Sequence, residues 1–290
     1  MSPGKQNEKF NSFSFERFIL EKVKDIKMLL SKVQNVVKLV KKEGVLYTFK
    51  LTYFVLKSRL KKPFFTNLFM GKSGLEVGGP SSIFDKKGEI PIYQHLKNLD
   101  GCNFSNKTIW EGKIESGLNY EYFEDKKGFQ YISEATDLSS ISDSSYDFVI
   151  SSNCLEHIAN PLKAIQEWLR VVRNDGLLLL ILPNKDFCFD HNRPITTFAH
   201  LIKDFQQDVQ EDDLTHLDEI LNLHDLDLDK PAGNPERFKE RSLKNYENRA
   251  LHHHVFDVNL LEEIFHYFNL KIVYATSDNQ HKILGQKIHD

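Results

Sequence analysis

Histidines and carboxylates are concentrated in one stretch of the chain, residues 184–257. Near neutral pH a histidine can take the proton of a hydroxyl, and histidines grouped with carboxylates can bind a divalent ion. The stretch therefore predicts acid–base or metal chemistry. Its short groups are FDHNRP (Asp190, His191, Arg193), DDLTHLDE (Asp212, Asp213, His216, Glu219), LHDLD (His224, Asp225) and HHHVFD (His252, His253, His254, Asp257).

A second candidate histidine, His157, follows the apolar segment YDFVISS at residues 146–152. The carboxyl ends of parallel strands are where open α/β sheets bind ligands, so we expect His157 at a cleft. His191 follows the next apolar segment, and we expect it across the same cleft. Either histidine could act as a general base. The alternative for His191 is a structural contact with Asp190 or Arg193.

A glycine turn lies upstream in KSGLEVGGPSSI, residues 72–83. The pattern predicts a buried strand that ends near Glu76, and Gly78 and Gly79 then let a ligand approach the backbone. Pro80 suits the first position of a following helix. The G-x-G-x-x-G pattern of dinucleotide-binding folds is missing, which disfavours a nicotinamide or flavin site. One glycine turn alone is weak evidence of a site.

The segment LEVGGPS, followed by YDFVISSNCLEHIANPLKAIQEWLRVVRNDGLLLLILPN, resembles the class I S-adenosylmethionine-dependent methyltransferases. The resemblance covers roughly residues 70–185 and is closest to the subgroup that methylates small molecules and sugars. It implies an α/β, Rossmann-like fold: a mainly parallel sheet with helices on both faces and an antiparallel last strand. S-adenosylmethionine is the implied cofactor.

The resemblance also implies cofactor-binding residues. It points to the glycine turn for the methionine end, to Asp100 or Glu111 for the ribose, and to an Ala-x-Asp-Leu position along the adenine. The alternatives are that the two acids are ordinary surface residues and that Asp137 only caps a turn. The full set is Glu76, Val77, Gly78, Gly79, Pro80, Glu111, Thr136, Asp137, Leu138, Asn153 and Leu155.

Some related enzymes place a divalent metal on E-x-x-E-H, which corresponds here to Asn153, Glu156 and His157. An amide replaces the first carboxylate, which weakens the match. His252 and His254 would share one face of an extended segment and could complete the site. The alternative for His252 and His254 is that they pack and hydrogen-bond without a metal, as histidine clusters more often do. The alternative for His157 is that it is not a base, since LEHI sequences are frequent in the family without a histidine base.

Apolar patterns and turn residues predict the remaining elements. A strand with Thr108 to Trp110 is expected over residues 103–111, and a helix begins at Pro161 and ends at Asn174-Asp175-Gly176. A strand of residues 177–182 follows. The chain is expected to close with a helix over residues 259–268 and strands over residues 270–276 and 281–287.

Residues 1–69 are expected to form an N-terminal helical segment, and residues 70–290 the methyltransferase domain, with residues 184–257 as a lid over the acceptor. The first segment is amphipathic and lysine-rich. It either packs on the domain or a second subunit, which would make a homo-oligomer, or contacts a membrane surface or partner.

The net charge of −3 demands neither nucleic acid nor an anionic surface. Three scattered cysteines and the lack of an apolar leader favour a cytoplasmic protein. We expect O-methylation of a small-molecule hydroxyl, such as a sugar or glycan precursor. The alternatives are a nucleic-acid methyltransferase that uses the basic N-terminal helices, and a non-catalytic subunit that binds S-adenosylmethionine.

Overall fold

One mixed sheet of eight strands organises the part of the chain that the structure describes, residues 62–288 of a computed structural model. A separate two-stranded hairpin, β3 (Lys107–Thr108) and β4 (Gly112–Lys113), lies between its strands in sequence. The sheet strands are β1 (Ser73–Val77), β2 (Asn98–Asn103), β5 (Gly117–Phe123), β6 (Lys126–Ile132), β7 (Tyr146–Ser152), β8 (Val172–Pro183), β9 (Leu270–Ser277) and β10 (Gln280–Lys287).

The strands lie in the order β5-β6-β2-β1-β7-β8-β10-β9. The central pairs are parallel, whereas β10 runs antiparallel to both β8 and β9, and β5 runs antiparallel to β6. The expected mainly parallel sheet with an antiparallel last strand is confirmed. The strand β1 lies between β2 and β7, and the strands that follow in sequence are placed on opposite sides of it. Ligands should therefore bind at the carboxyl ends of β1, β2 and β7.

The expected strand over residues 103–111 is wrong. The strand beside β1 is β2, which ends at Asn103, and the next residues form the β3–β4 hairpin with Ile109 and Trp110 at its tip. β2 is the inner strand because its Leu99 and Cys102 are buried and apolar, whereas Ile109 and Trp110 are exposed.

Seven described segments are α-helical. The helix α2 begins where Asn160 caps it and Pro161 occupies its first turn, but it ends at Val171, and the predicted end at residues 174–176 lies inside β8 instead. The helices are α1 (residues 62–69), α2 (Pro161–Val171), α3 (Phe198–Gln206), α4 (Leu217–Leu223), α5 (Pro235–Leu243), α6 (Asn245–Asn248) and α7 (Val258–Tyr267).

Both faces of the sheet are covered by apolar side chains, which is why its central strands are continuously apolar. Along β7, Val149 packs in one cluster, and Phe148 and Ile150 pack in the other. In β8 the even-numbered residues 178–182 belong to the first cluster and the odd-numbered residues 177–181 to the second. The buried Trp168 of α2 joins the first cluster and donates its indole N–H to the Ala135 carbonyl at 2.9 Å.

The segment of residues 184–257 contains α3 to α6 and a small core of its own around Ile220, Ala232, Phe238 and Leu251. It belongs to the same compact unit as the sheet, Phe64–Asp290. The expected N-terminal helices lie outside the described residues. Within residues 62–288 no helix is long and apolar enough to cross a membrane.

Candidate functional site

A cavity of about 1240 Å³ opens at the carboxyl ends of β1, β2 and β7, where the strand order predicts a ligand. Val77, Gly78 and Asn103 line it from the first two strands, and Asn153 lines it from just beyond β7. The segment of residues 184–257 supplies much of the opposite wall. That this wall borders the acceptor stays a prediction.

The glycine turn borders the cavity with backbone. Gly78 has a φ of +80°, and a Cβ there would lie 2.7 Å from the Cys154 sulfur, so only glycine fits without strain. Pro80 also lines the cavity, but the expected helix is replaced by a single 3-10 turn, Ser82–Phe84. Gly79 does not line the cavity, and its carbonyl accepts from the Asn103 amide at 3.2 Å.

Glu76 lies behind the turn and does not line the cavity. Its fully buried carboxylate accepts from the hydroxyls of Tyr93 at 2.6 Å and Tyr120 at 2.8 Å, and from the backbone N–H of Ser81 at 3.1 Å. Burial raises the pKa of Glu76 to about 7 against the lowering effect of these donors. Glu76 therefore supports the turn from inside the protein, and its predicted contact with the cofactor stays a prediction.

Of the two acids predicted for the ribose, only Glu111 lines the cavity. It extends from the β3–β4 hairpin, and burial raises its pKa. Asp100 lies within β2 and is engaged elsewhere, because its carboxylate accepts from the Tyr146 hydroxyl at 2.7 Å and the Phe129 N–H at 2.8 Å. The side chain that ends β2 at the cavity is an amide, Asn103.

Thr136, Asp137 and Leu138, predicted along the adenine, do not line the cavity. The exposed Asp137 accepts the Ser139 N–H at 3.0 Å, which is the turn-capping alternative, and Leu138 is fully buried in the core. The residues of this loop that do line the cavity come just before them: Ser133, Glu134 and Ala135.

The turn after β7 brings several predicted residues to the cavity. Asn153 lines it with a φ of +50°, while Leu155 points into the core and does not. Glu156 and His157 follow in a 3-10 turn, and both line the cavity. Nδ1 of His157 lies 3.0 Å from the Leu251 carbonyl, and burial lowers the pKa of His157 well below its usual value.

His191, the first choice for the base, does not line the cavity. Its Nε2 lies 2.9 Å from the Asp225 carboxylate in a half-exposed pair. The expected position across the cleft is wrong because Cys188 and Phe189 face the cavity whereas the chain then turns, carrying His191 toward Asp225.

A buried pair, Asp190 and His252, stands where His191 was expected. The Asp190 carboxylate contacts Nδ1 of His252, which lines the cavity. Arg193, 1% exposed, donates to Asp190 at 3.0 Å and to the His252 carbonyl at 2.8 Å. Burial lowers the pKa of His252, but the carboxylates of Asp190 and Glu156 raise it by more. The net shift of the His252 pKa is upward. Burial raises the pKa of Asp190, but the positive charges of His252 and Arg193 lower it by more, and it falls to about 2.

Glu156 adds a second acid to this end of the cavity. It is 2% exposed, and its Oε2 has no hydrogen-bond partner in the part of the chain that the structure describes. Burial raises the pKa of Glu156 to about 7, although the charge of His252 opposes this. The rings of His157 and His252 meet edge to face at 4.5 Å. One ligand atom from each of these three residues lies within 4.8 Å of the others, so they could also hold a metal ion. His254, predicted to join them, belongs to a different cluster.

The charged side chains that line the cavity are mostly acidic. Arg241 and Arg249 are its two cations besides the histidines, and both are paired: Arg241 contacts Asp229 at 2.9 Å, and Arg249 contacts Glu134 at 2.7 Å and Glu211. The acids are Glu89, Glu111, Glu134, Glu156, Glu211 and Asp229.

Sequence reasoning missed the Asp190–His252 pair as a unit. It singled out both residues, in FDHNRP and HHHVFD, but assigned the chemistry of the first group to His191 and that of the second to metal. Arg193 in FDHNRP could have indicated this pair from the sequence, since a buried arginine needs carbonyl and carboxylate partners.

A family model described as a methyltransferase domain matches residues 94–180, from just before β2 into β8. The chain therefore carries a methyltransferase domain that includes these residues. No curated protein matches the chain. The matched stretch of this methyltransferase contains the loop of residues 133–135 and the β7 turn with Glu156 and His157, both of which line the cavity.

Solved structures with methyltransferase folds are similar to it at low identity. A methyltransferase from Methanosarcina mazei has 17% identity over 79% of this chain and 98% of its own, with a TM-score of 0.44. One from Aquifex aeolicus has 12% identity over 80% and 89%, with a TM-score of 0.40. The N-methyltransferase NodS from Bradyrhizobium japonicum WM9, in complex with S-adenosyl-L-homocysteine, has 11% identity over 80% and 87%, with a TM-score of 0.40.

Proposed function

We propose that this methyltransferase methylates a hydroxyl group of a neutral, polyhydroxylated small molecule, such as a sugar or glycan precursor. In this proposal His252, oriented by Asp190, is the general base. The observation that carries the proposal is the buried Asp190–His252 pair at the edge of the cavity.

The residues of the cavity fit the cofactor. The turn at Gly78 offers backbone with no side chain in front of it, and Asn103, Ser133 and Ala135 supply polar and backbone groups for the nucleoside. S-adenosylmethionine supplies an electrophilic methyl group on a sulfonium. The acidic lining suits that positive charge.

A hydroxyl acceptor must lose its proton as the oxygen attacks, which requires a base close to it. The contact with Asp190 keeps the Nδ1 proton of His252 in place, so its Nε2 is the proton acceptor, as in Asp-His pairs generally. The upward shift of the His252 pKa makes the base stronger, and Asp190, with its pKa of about 2, stays ionised to stabilise the imidazolium. The proton moves from the acceptor oxygen to Nε2.

The acidic side chains that line the cavity favour a neutral acceptor over an anionic one. Both arginines of the cavity are neutralised by carboxylates, so a phosphate or carboxylate group would meet no free cation among the described lining residues. Hydroxyl groups can donate to these carboxylates. The exposed rings of Trp110 and Phe187 offer apolar surface for the carbon face of a sugar. The same acids disfavour a nucleic-acid phosphate backbone in the cavity.

A metal ion on Glu156, His157 and His252 is the alternative to a pure general base. It would lower the pKa of an acceptor hydroxyl instead of removing the proton directly. The Asp190 contact supports the base, because it engages one nitrogen of His252 in the manner of a proton-relay pair. Such a contact also occurs behind metal ligands, so the test includes a chelator.

The test has two stages on the full chain. Calorimetry first measures binding of S-adenosylmethionine, S-adenosylhomocysteine and NAD, and we expect binding of the two adenosyl ligands only. The protein is then incubated with labelled cofactor, with and without EDTA, and with neutral sugars, amino sugars, sugar phosphates and RNA. We expect label on neutral sugars, with EDTA causing no loss, and mass spectrometry of the product to place the methyl group on oxygen.

Other outcomes overturn separate parts of the proposal. Label on an amino nitrogen rejects O-methylation, label on RNA rejects a small-molecule acceptor, and loss of activity with EDTA that Mg²⁺ restores rejects the metal-free base. Cofactor binding without turnover of any acceptor points to the non-catalytic subunit.

A further inference from the structure

We propose that His200, Asp204, His216 and His254 bind one Zn²⁺ ion, and that this ion ties together three parts of the segment of residues 184–257. None of the four residues lines the large cavity. The site is therefore separate from the Asp190–His252 pair and from Glu156 and His157.

The four side chains come from three distant segments and converge. His200 and Asp204 are one turn apart on α3, so they share a face of that helix, while His216 precedes α4 and His254 precedes α7. One ligand atom from each residue lies within 4.8 Å of all the others. Two of these pairs are His200 Nε2 with His216 Nε2 at 2.9 Å and His200 Nε2 with Asp204 Oδ2 at 3.1 Å.

These separations fit a tetrahedral zinc site. Zinc lies about 2.0–2.2 Å from nitrogen and oxygen ligands, which places the ligand atoms of a tetrahedron about 3.4 Å apart. The two measured separations of 2.9 and 3.1 Å lie within about 0.5 Å of that value. Small side-chain rotations suffice to reach it.

The count of protons also favours a cation. Nε2 of His200 lies within hydrogen-bonding distance of both His216 Nε2 and the Asp204 carboxylate, yet a ring nitrogen carries at most one proton. A divalent ion attracts all of these lone pairs at once.

His254 is held as zinc-ligating histidines usually are. It is 1% exposed, and its Nε2 lies 3.1 Å from the Ala159 carbonyl, whereas its buried Nδ1 has no hydrogen-bond partner among residues 62–288. A backbone carbonyl on one ring nitrogen fixes the tautomer and leaves a lone pair on the other. Burial of an unsatisfied ring nitrogen is costly, and coordination by a small shift of the ring removes that cost.

The donor set indicates the metal and its role. Three imidazole nitrogens and one carboxylate oxygen suit zinc and other late first-row metals rather than magnesium or calcium, which prefer oxygen. Four protein ligands close the coordination sphere, as in structural zinc sites. The backbone carbonyl of Asp204 also accepts from the Asn160 amide at 3.2 Å, so a direct hydrogen bond joins α3 to the chain that follows Glu156 and His157.

Zinc binding to metal-free full chain tests the proposal, measured by calorimetry and by the shift of the melting temperature. We expect one ion per chain at this site and a rise in melting temperature with added Zn²⁺. The half-exposed ligands are replaced singly, as His200→Gln and His216→Gln, because the buried His254 is more sensitive to folding. Loss of a ligand should weaken zinc binding more than about 100-fold, beyond the cost of losing an outer partner.

Two controls separate this site from other histidines. His252→Gln removes the cluster in the cavity, and His266→Gln removes an exposed histidine of α7; both variants should retain the ion. Co²⁺ in place of Zn²⁺ should give the visible absorption of a tetrahedral site in the wild type and lose it in His216→Gln. The proposal is overturned if no zinc binds, if His200→Gln and His216→Gln bind it as tightly as the wild type, or if His252→Gln alone abolishes binding.

Discussion

The Asp190 carboxylate contacts Nδ1 of His252, a residue 62 positions later in the chain. Arg193 donates hydrogen bonds to the Asp190 carboxylate and to the His252 backbone carbonyl. Arg193 is almost fully buried and also donates to Glu219 at 2.8 Å. The arginine therefore orients the pair and keeps Asp190 charged. This arrangement gives the candidate base its position and its proton-accepting nitrogen.

Replacing the base tests its assignment. His252→Gln should lower kcat by about 10²- to 10⁴-fold, the usual contribution of a general base, and leave the binding of S-adenosylmethionine nearly unchanged. His191→Gln is the matched control, since that histidine pairs with Asp225 away from the cavity and should keep kcat near the wild-type value. A large loss in His191→Gln with an active His252→Gln would restore the base predicted from the sequence.

The pH dependence follows from the protonation of the same histidine. The base must be neutral, so kcat should rise about tenfold per pH unit below the His252 pKa and level off above it. The carboxylates of Asp190 and Glu156 raise that pKa, so Asp190→Asn should move the rising limb to lower pH and reduce the plateau by at least about tenfold. An unchanged profile in Asp190→Asn would mean that another group titrates.

The glycine turn predicts a specific loss of cofactor binding. In Gly78→Ala the new Cβ would lie 2.7 Å from the Cys154 sulfur at a φ of +80°, and we expect more than about a tenfold weaker binding of S-adenosylmethionine. Gly71→Ala is the matched control, because Gly71 has a φ of +71° but nothing within 4 Å. Both variants should lose about 1–2 kcal/mol of stability to backbone strain, but only the first should lose cofactor affinity in calorimetry.

The buried Glu76 predicts a stability effect. Tyr120→Phe removes one of the two hydroxyls that donate to Glu76 Oε2 and should lower the free energy of unfolding by about 0.5–1.5 kcal/mol, the usual net contribution of one hydrogen bond. Tyr267→Phe, on the exposed side of α7, should unfold in denaturant like the wild type. Equal stability of the two variants would show that the Glu76 cluster contributes little.

Glu156 predicts a pH-dependent gain in stability. The pKa of Glu156 is 4.5 in the unfolded chain and about 7 in the folded protein. Below pH 4.5 the carboxyl is protonated in both states and does not affect stability. As the pH rises toward 7, the unfolded chain loses this proton more easily than the folded protein, so the wild type loses stability. Glu156→Gln avoids that loss and should exceed the wild type by up to about 3 kcal/mol at pH 7. Lys244 lowers the pKa of the exposed Glu240, so Glu240→Gln should show the opposite trend. Unfolding curves at pH 4.5, 6 and 7.5 measure both.

Local patterns in the sequence determined the alternating architecture and much of the cofactor side. The glycine turn, the start of α2 at Asn160 and Pro161, and the last helix and two strands depend on neighbouring residues and on the period of apolar side chains. Those features fix which segments are buried. They therefore predicted the sheet and placed Val77, Gly78 and Asn153 at its ligand-binding edge.

The tertiary structure decided which polar side chains meet. His191 and Asp190 are adjacent in sequence, yet only Asp190 reaches His252, because Arg193 and the turn after Phe189 set their directions. His252 and His254 likewise diverge into two clusters. Histidine and carboxylate types are visible in the sequence, but partners 60 residues apart are selected by the packing of the insertion on the sheet, which no local periodicity records.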